Sequence, residues 1–304
     1  MMAEDIPFER EDAAVPGRPE QLSPLIRRIL CDNPGPFTFK GTVTYVVGTG
    51  RVAIIDPGPD DPRHVAALLE AVKGETVEAI LVTHTHRDHS PATAAIKAAT
   101  GAPVFAEGPH RAARELNLGE INVLDASGDK DFRPDTALKD GDVVSGTGWT
   151  LEAVFTPGHT ANHMAFALRE EETLFSGDHV MAWSTSIVAP PDGSMGDFMA
   201  SLDRLRAREE RLFWPGHGGA VKEPAKFMRA LSHHRRLREA AILKRLASGD
   251  RSIPDIVAAI YEGLDPRLKS AAGLSVFAHL EDLVDKGLAT SDGAPVLTGE
   301  FRPA

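Results

Sequence analysis

Thr83-His84-Thr85-His86-Arg87-Asp88-His89 packs three imidazoles and a carboxylate into six positions, directly after the apolar run Ala79-Ile80-Leu81-Val82. A helix brings together residues three or four apart, so only a loop leaving a strand end splays so dense a set around two neighbouring ions. Alternate residues His84 and His86 point one way, while Asp88 and His89 turn toward a second site. Imidazole and carboxylate at this density suit Zn²⁺, with Fe or Mn acceptable to the same donors. Three further residues fit the same chemistry: His159 in Thr156-Pro157-Gly158-His159-Thr160, Asp178 in Phe175-Ser176-Gly177-Asp178, and His217 in Trp214-Pro215-Gly216-His217-Gly218. Each follows an apolar run and stands next to a glycine, which lets the backbone approach an ion with no Cβ in the way.

The elements that must position these residues alternate. TVTYVVG and RVAIIDPG are β-branched runs parted by a Gly-Thr-Gly turn, which predicts a hairpin. PRHVAALLEAVKG has helical spacing closed by Gly74, VEAILVTH reads as a strand, PATAAIKAATG as a helix and APVFAEG as a strand. This alternation indicates an α/β layer. From Gly141 the pattern repeats in outline: DVVSGTGWTLEAVF, NHMAFALRE and EETLFSG as strands, DFMASLDRLRARE as a helix, and RLFWPGHG as a short strand. Beyond Gly219 the strands stop. A long helix closed by Gly249, the helices SIPDIVAAIYEG and SAAGLSVFAHLEDLVDKG, and a small hairpin within GLATSDGAPVLT suggest a winged-helix-like module. Residues 1–24, polar and Pro-containing, read as a tail or edge segment on the surface.

Composition narrows the classes. The 304 residues suggest about two domains, and 42% hydrophobic with 25% charged residues excludes a disordered or fibrous chain. A net charge of −11 argues against coating nucleic acid and against stable binding of duplex DNA. Cys31 is the single cysteine, which excludes a disulfide framework or a Cys-rich metal site and suits a small buried residue. Twelve histidines leave imidazole and carboxylate as the available ligands. No apolar run is long enough to span a membrane, and the acidic start lacks the features of a signal peptide, so the expected location is cytoplasmic. Residues 223–304 have a net charge of +1 and residues 1–222 a net charge of −12. The positive residues Lys226, Arg229, Arg235, Arg236, Arg238, Lys244 and Arg245 gather on the long helix, where Arg235 and Arg238 would share a face. Such a face could meet an anionic substrate or simply be solvated.

The ordered set THTHRDH, TPGHT, SGD and PGHG resembles the metallo-β-lactamase superfamily. That resemblance implies a four-layer αββα sandwich over residues 25–222, with the winged-helix-like module at 223–304 and a binuclear metal site at one edge of the sheets. It implies that His84, His86 and His159 bind one divalent ion, that Asp88, His89 and His217 bind a second, and that Asp178 bridges both. A hydroxide shared by the two ions would be the nucleophile, with Asp88 orienting it. Asp56 in IIDPG resembles an acid that hydrogen-bonds a ligand histidine, although an Asp opening a turn explains it equally. NPGPFTFKGTVTYVVGTG, THTHRDHS and the helical tail together resemble the beta-lactamase-like protein 2 group, in which Val43 stands where Asn is usual.

The resemblance implies a binuclear metal-dependent hydrolase acting on a small molecule or on single-stranded RNA as an endoribonuclease or phosphodiesterase. A thioester, lactone or other carbonyl substrate is the alternative, with β-lactam turnover at most promiscuous. A winged-helix binding protein with a vestigial metal site is the reading from another class. The C-terminal module would wall the cleft or support a homodimer. Of the other histidines, His163, four residues after His159, suits a place behind the ligands, the substrate pocket or the core. His179 reads as structural, and His64, His110, His233 and His279 read as surface or core residues.

Overall fold

Period-two alternation decides which side of each strand meets which neighbour. The computed structural model describes residues 6–118 and 120–304. Among these, strands β1 (Glu20–Gln21), β2 (Ile26–Leu30), β3 (Val43–Thr49), β4 (Arg51–Ile55), β5 (Thr76–Leu81), β6 (Val104–Ala106) and β7 (Thr136–Ala137) lie side by side in that order. A second sheet runs from β12 (Leu212–Pro215) through β11 (Thr173–Gly177), β10 (Met164–Leu168) and β9 (Trp149–Phe155) to β8 (Val143–Gly146). Tyr45, Val47, Ala53 and Ile55 of the first sheet meet Leu151, Phe166, Leu168 and Phe175 of the second in one buried layer. Their alternates Val46, Val52 and Ile54 face outward onto Leu68 and Ile96, from helices α1 (Pro62–Ala71) and α2 (Thr93–Thr100). Ala165, Ala167 and Leu174 likewise turn away from the centre, toward Phe198 and Leu202 of α3 (Met195–Arg206) and Phe227 and Leu231 of α4 (Pro224–Ala247). The layers are therefore α, β, β, α, as the resemblance implies.

Local chemistry sets the helix ends. Asp61 caps α1, accepting from the Arg63 amide at 2.8 Å ahead of a proline at the first turn. Gly101 closes α2 with φ +73. Between the sheets the Tyr45 hydroxyl, the one polar tip on that stretch of strand, donates to the Pro215 carbonyl at 2.7 Å and so ties the two sheets together beside His217.

Two expectations need adjusting. The N-terminal segment is more than a tail, because Glu20 and Gln21 extend the sheet and buried Asp12 pairs with Arg28 at 2.8 Å. The small hairpin closes on a later strand than the composition suggested. β13 (Ala289–Ser291) pairs antiparallel with β14 (Phe301–Pro303), and APVLT forms the connection. Phe301 is fully buried and seals the module's core, whereas the apolar residues of APVLT remain partly exposed.

α5 (Ile253–Ile260), α6 (Lys269–Asp285) and the second half of α4 enclose a separate cluster built on Ile242, Leu246, Ile256 and Phe277. With the β13–β14 ribbon this is a winged-helix arrangement. The first half of α4 belongs to the sandwich instead, so one continuous helix joins the two bodies. No helix among the described residues is long and apolar enough to cross a membrane.

His279 on α6 is buried, and neither ring nitrogen has a hydrogen-bond partner among the described residues. Burial, aided by the charges of Arg235 and Lys286, lowers its pKa to about 3. The unfolded chain takes up that proton near pH 6.5, so the stabilisation is complete above that pH and is lost as pH falls toward 3. Replacing His279 by Leu should therefore flatten the decline in stability between pH 6 and 4 by about 1.4 kcal/mol per pH unit. Denaturant unfolding at several pH values measures this, and an unchanged slope would contradict it.

Candidate metal centre

Strand ends supply every candidate ligand. β5, β9, β11 and β12 run in the same direction, and the loops at their C-terminal ends carry Thr83–His89, His159, Asp178 and His217 to one edge of the sandwich. All seven residues singled out in the sequence meet there. His84, His86 and His159 form one group of ligating atoms, Asp88, His89 and His217 another, and His84, His89 and Asp178 a third, with no two ligating atoms in a group more than 4.8 Å apart. Asp178 lies between the first two groups, its Oδ2 being 3.2 Å from His217 Nε2 and 3.8 Å from His159 Nε2.

The donors fit a cation. Three imidazole nitrogens converge: His86 Nδ1 is 2.9 Å from His84 Nε2 and 3.0 Å from His159 Nε2. Rings fixed from behind show which nitrogens carry hydrogen. His159 Nδ1 donates to the Ile187 carbonyl at 2.6 Å and His217 Nδ1 to the Gly41 carbonyl at 3.1 Å. His89 Nδ1 donates to Asp56 Oδ2 at 2.9 Å. The Thr83 hydroxyl gives its proton to the same carboxylate at 2.7 Å and so accepts from His84 Nδ1 at 3.0 Å. Four rings therefore turn Nε2 inward, the nitrogen each would offer a cation, and Asp178 Oδ1 is buried without a hydrogen-bond partner among the described residues. Glycine keeps the space open, since a Cβ on Gly216 would lie 2.5 Å from Asp178 Oδ1 and 2.6 Å from His89 Cε1.

Electrostatics divides the cluster. Burial, reinforced by His89 and His86, drives the His84 pKa well down, and burial with His159 lowers His86 to about 3. These rings stay neutral, the form that ligates metal. On the other side burial opposes charge at His217, but Asp178 and Asp88 outweigh it and push its pKa up to about 10. Burial likewise raises the two carboxyls, and His89 and His217 overcome it, holding both well below the usual range. The carboxylates thus stay ionised, ready to exchange imidazolium partners for divalent ions.

Supporting residues extend beyond the seven. Asp56 holds Thr83 through both oxygens and His89 through one, from a backbone φ of +51 that is unusual for a residue with a Cβ. It is a ligand-orienting acid and not merely a turn residue. His163 stands behind a candidate ligand, one of the places expected for it: its Nε2 accepts from the Asp178 amide at 3.2 Å while Nδ1 meets the Thr156 hydroxyl at 2.8 Å. Sequence reading missed Thr42 and Asn33. The Thr42 hydroxyl lies 3.1 Å from Asp88 Oδ2 and is itself tied to Asn33. The NPGP segment that contains Asn33 was the available signal. Val43 is buried, and its amide donates to the Gly216 carbonyl at 2.8 Å, so the site uses backbone at that position.

Arg235 and Arg238 share a face of the basic helix as expected, but that face packs against the protein. Arg235 is buried, donating to the Ser186 carbonyl and lying over the Phe198 ring, while Arg238 lies over Tyr261. Lys226, Arg229, Arg236 and Lys244 form the solvent-facing stripe. Ser186 in turn donates to the Asp178 and His179 carbonyls at 2.5 and 2.8 Å. α4 thereby buttresses the turn that carries Asp178.

An αββα sandwich with this histidine and aspartate cluster defines a metal-dependent hydrolase. The chain belongs to the metallo-beta-lactamase superfamily, whose pattern matches residues 37–217, and a beta-lactamase associated winged helix domain matches residues 252–296. Among relatives, the lactamase-like protein vrtG of Penicillium aethiopicum is 35% identical, with 86% of this chain and 84% of that protein covered. The beta-lactamase-like protein 2 homolog of Caenorhabditis elegans is 30% identical over 88% of this chain and 87% of its own length. An atrochrysone carboxyl ACP thioesterase of Aspergillus terreus is 31% identical over 93% and 84%. A solved metallo-beta-lactamase family protein of Thermus thermophilus superposes with a TM-score of 0.75 at 25% identity, covering 93% of this chain and all of that one.

Asp56→Asn keeps the side-chain shape and tolerates the positive φ, but removes one of the carboxylate oxygens that accept from His89 and Thr83. Metal affinity, read by competition with a chromophoric chelator, should fall roughly 10- to 100-fold. Unchanged affinity would show that Asp56 serves only the turn.

Proposed function

We propose that this hydrolase cleaves acyl thioesters, using two divalent ions. His84, His86 and His159 would hold one ion, Asp88, His89 and His217 the other, and Asp178 would bridge them. Zn²⁺ suits these donors, and Fe or Mn also satisfy them. Cations held there supply a hydroxide nucleophile at neutral pH and polarise the carbonyl oxygen. The chain's own part is positional. Asp88 is the more open of the two carboxylates, with its side chain 26% exposed against 9% for Asp178. Positioned through Oδ2 by the Thr42 hydroxyl at 3.1 Å, it would orient the attacking oxygen. The oxygen joins the acyl carbon, the C–S bond breaks, and the thiolate leaves to recover a proton.

The observation that favours a neutral acyl substrate is the charge of the cavity beside the cluster. Glu115, Asp125 and Asp192 line it, and its one basic residue, Arg114, is already paired with Glu120 and Glu281. Asp125 is paired with Lys130, but a polyanion would still meet the carboxylates of Glu115 and Asp192 there. The relatives named as thioesterases, one of them aligned over 93% of this chain, agree with that chemistry.

Phosphodiester cleavage of single-stranded RNA is the second reading. The outward stripe of Lys226, Arg229, Arg236 and Lys244 favours it, since such a stripe can follow a backbone of phosphates.

Protein of measured metal content, offered octanoyl-N-acetylcysteamine, octanoyl-CoA, a lactone, a β-lactam and a single-stranded RNA, should consume the thioesters fastest. Chelation should abolish turnover and divalent metal restore it, while Asp88→Asn should lower kcat at least 100-fold. RNA cleavage with inert thioesters would overturn the proposal in favour of the second reading.

A further inference from the structure

The cavity beside the metal cluster measures about 590 Å³, a size suited to a small-molecule substrate. Its walls come from two loops that also touch the candidate ligands. The Thr85 hydroxyl, between His84 and His86 in sequence, contacts His110 Nδ1 at 3.0 Å, and residues 187–192 continue from the carbonyl that receives His159. The loops are joined where the Ala113 amide donates to the Pro191 carbonyl at 2.7 Å.

Asp192 is buried, at 3% exposure, and lines this cavity. Its Oδ1 accepts from Asn122 Nδ2 at 2.9 Å, but its Oδ2 has no hydrogen-bond partner among the described residues. The His110 Nε2 atom lies 3.8 Å away, beyond hydrogen-bond range. His110 can be assigned a tautomer. Thr85 is fully buried and its oxygen accepts from Asn162 Nδ2 at 2.9 Å, and among the described residues its own proton has only His110 Nδ1 to go to, which places the ring hydrogen on Nε2. The cavity therefore offers a donor and an orphaned acceptor side by side.

A hydroxyl satisfies both, accepting from His110 and donating to Asp192. An ammonium would face the His110 hydrogen, and an anion would face Asp192, Asp125 and Glu115. Leu116 of the lining is 51% exposed, and Ile121 and Val123 on the same loop are 80% and 53% exposed.

We propose that this cavity is the acyl subsite and that His110 and Asp192 select an acyl group carrying a hydroxyl. This rests on the thioester reading, and two measurements separate the two. In the first, wild-type protein and Asp192→Asn hydrolyse paired N-acetylcysteamine thioesters: 3-hydroxyoctanoyl against octanoyl, and 2-hydroxybenzoyl against benzoyl. At least one hydroxylated member should exceed its partner about tenfold or more in kcat/KM with wild type, because the deoxy substrate leaves a buried polar group unpaired. That ratio should collapse toward one in Asp192→Asn, with metal content and melting temperature as controls for folding. A ratio near one in both wild-type pairs, or a ratio that persists in the variant, would overturn the subsite. A persisting ratio would also mean that Asp192 holds only a water.

In the second, calorimetry measures binding of the free acids 3-hydroxyoctanoate, octanoate, 2-hydroxybenzoate and benzoate. If every thioester is inert, the thioester reading fails. The subsite then stands if a hydroxy acid binds about tenfold more tightly than its deoxy partner in wild type alone, and falls if no pair is distinguished.

Discussion

Three neutral imidazoles facing one another at about 3 Å, beside two ionised carboxylates, cannot all be satisfied by protons, and the surrounding structure is organised to hold them there. Each contact behind the rings commits one nitrogen, so that the other is the one left to face a cation. Ile187 and Gly41 do this with backbone carbonyls, which no substitution at those positions removes, whereas Asp56 does it with a side chain held at positive φ. Lone pairs aimed at a common point repel, and that cost is met by packing in the two sheets and recovered when a cation enters.

The same demand explains why the C-terminal helix is continuous with the sandwich. Arg235 reaches from α4 to the Ser186 carbonyl, and Ser186 holds the turn of Asp178 and His179. Burying an arginine with no carboxylate beside it is costly, and burial brings its pKa down to about 10. Such a residue fits a position where a long donor must span two layers and where the Phe198 ring supplies a favourable face. Arg235 also donates to the Ser275 hydroxyl of α6 at 3.3 Å, so the winged-helix module is joined to the edge that carries Asp178 by a side chain as well as by the continuous helix.

Much of this was legible in the chain. THTHRDH and the three Gly-flanked residues marked the cluster because dense imidazole after an apolar strand has few other uses, and the strand periods of Val43–Thr49 and Met164–Leu168 marked the layers. What escaped depended on distance in sequence. Thr42 meets Asp88 across 46 residues and a threonine does not announce such a role, whereas His163, four residues after His159, was legible as a neighbour of the site. The basic helix was misjudged for a related reason: composition counts charges, but helix phase decides which of them face water. Arg235 and Arg236 are neighbours in sequence, yet one is buried and the other exposed.

Helix phase also bears on what the enzyme can accept. With Arg235 and Arg238 turned inward, the positive charge left on α4 lies on its outer stripe, while the cavity nearest the cluster is lined by carboxylates. Those two surfaces select differently. An outer basic stripe attracts any polyanion over a long range and is screened by salt, whereas a buried, unpaired Asp192 oxygen acts only at contact and rewards only a hydrogen-bond donor. Discrimination between substrates that share a reactive carbonyl comes from the contact term, since long-range attraction scarcely distinguishes neutral acyl groups from one another. On the proposed thioester reading, the uneven charge of the chain would place selectivity in the acidic half, at the loops beside His86 and His159, and leave the basic helix chiefly as a structural support for the candidate metal edge.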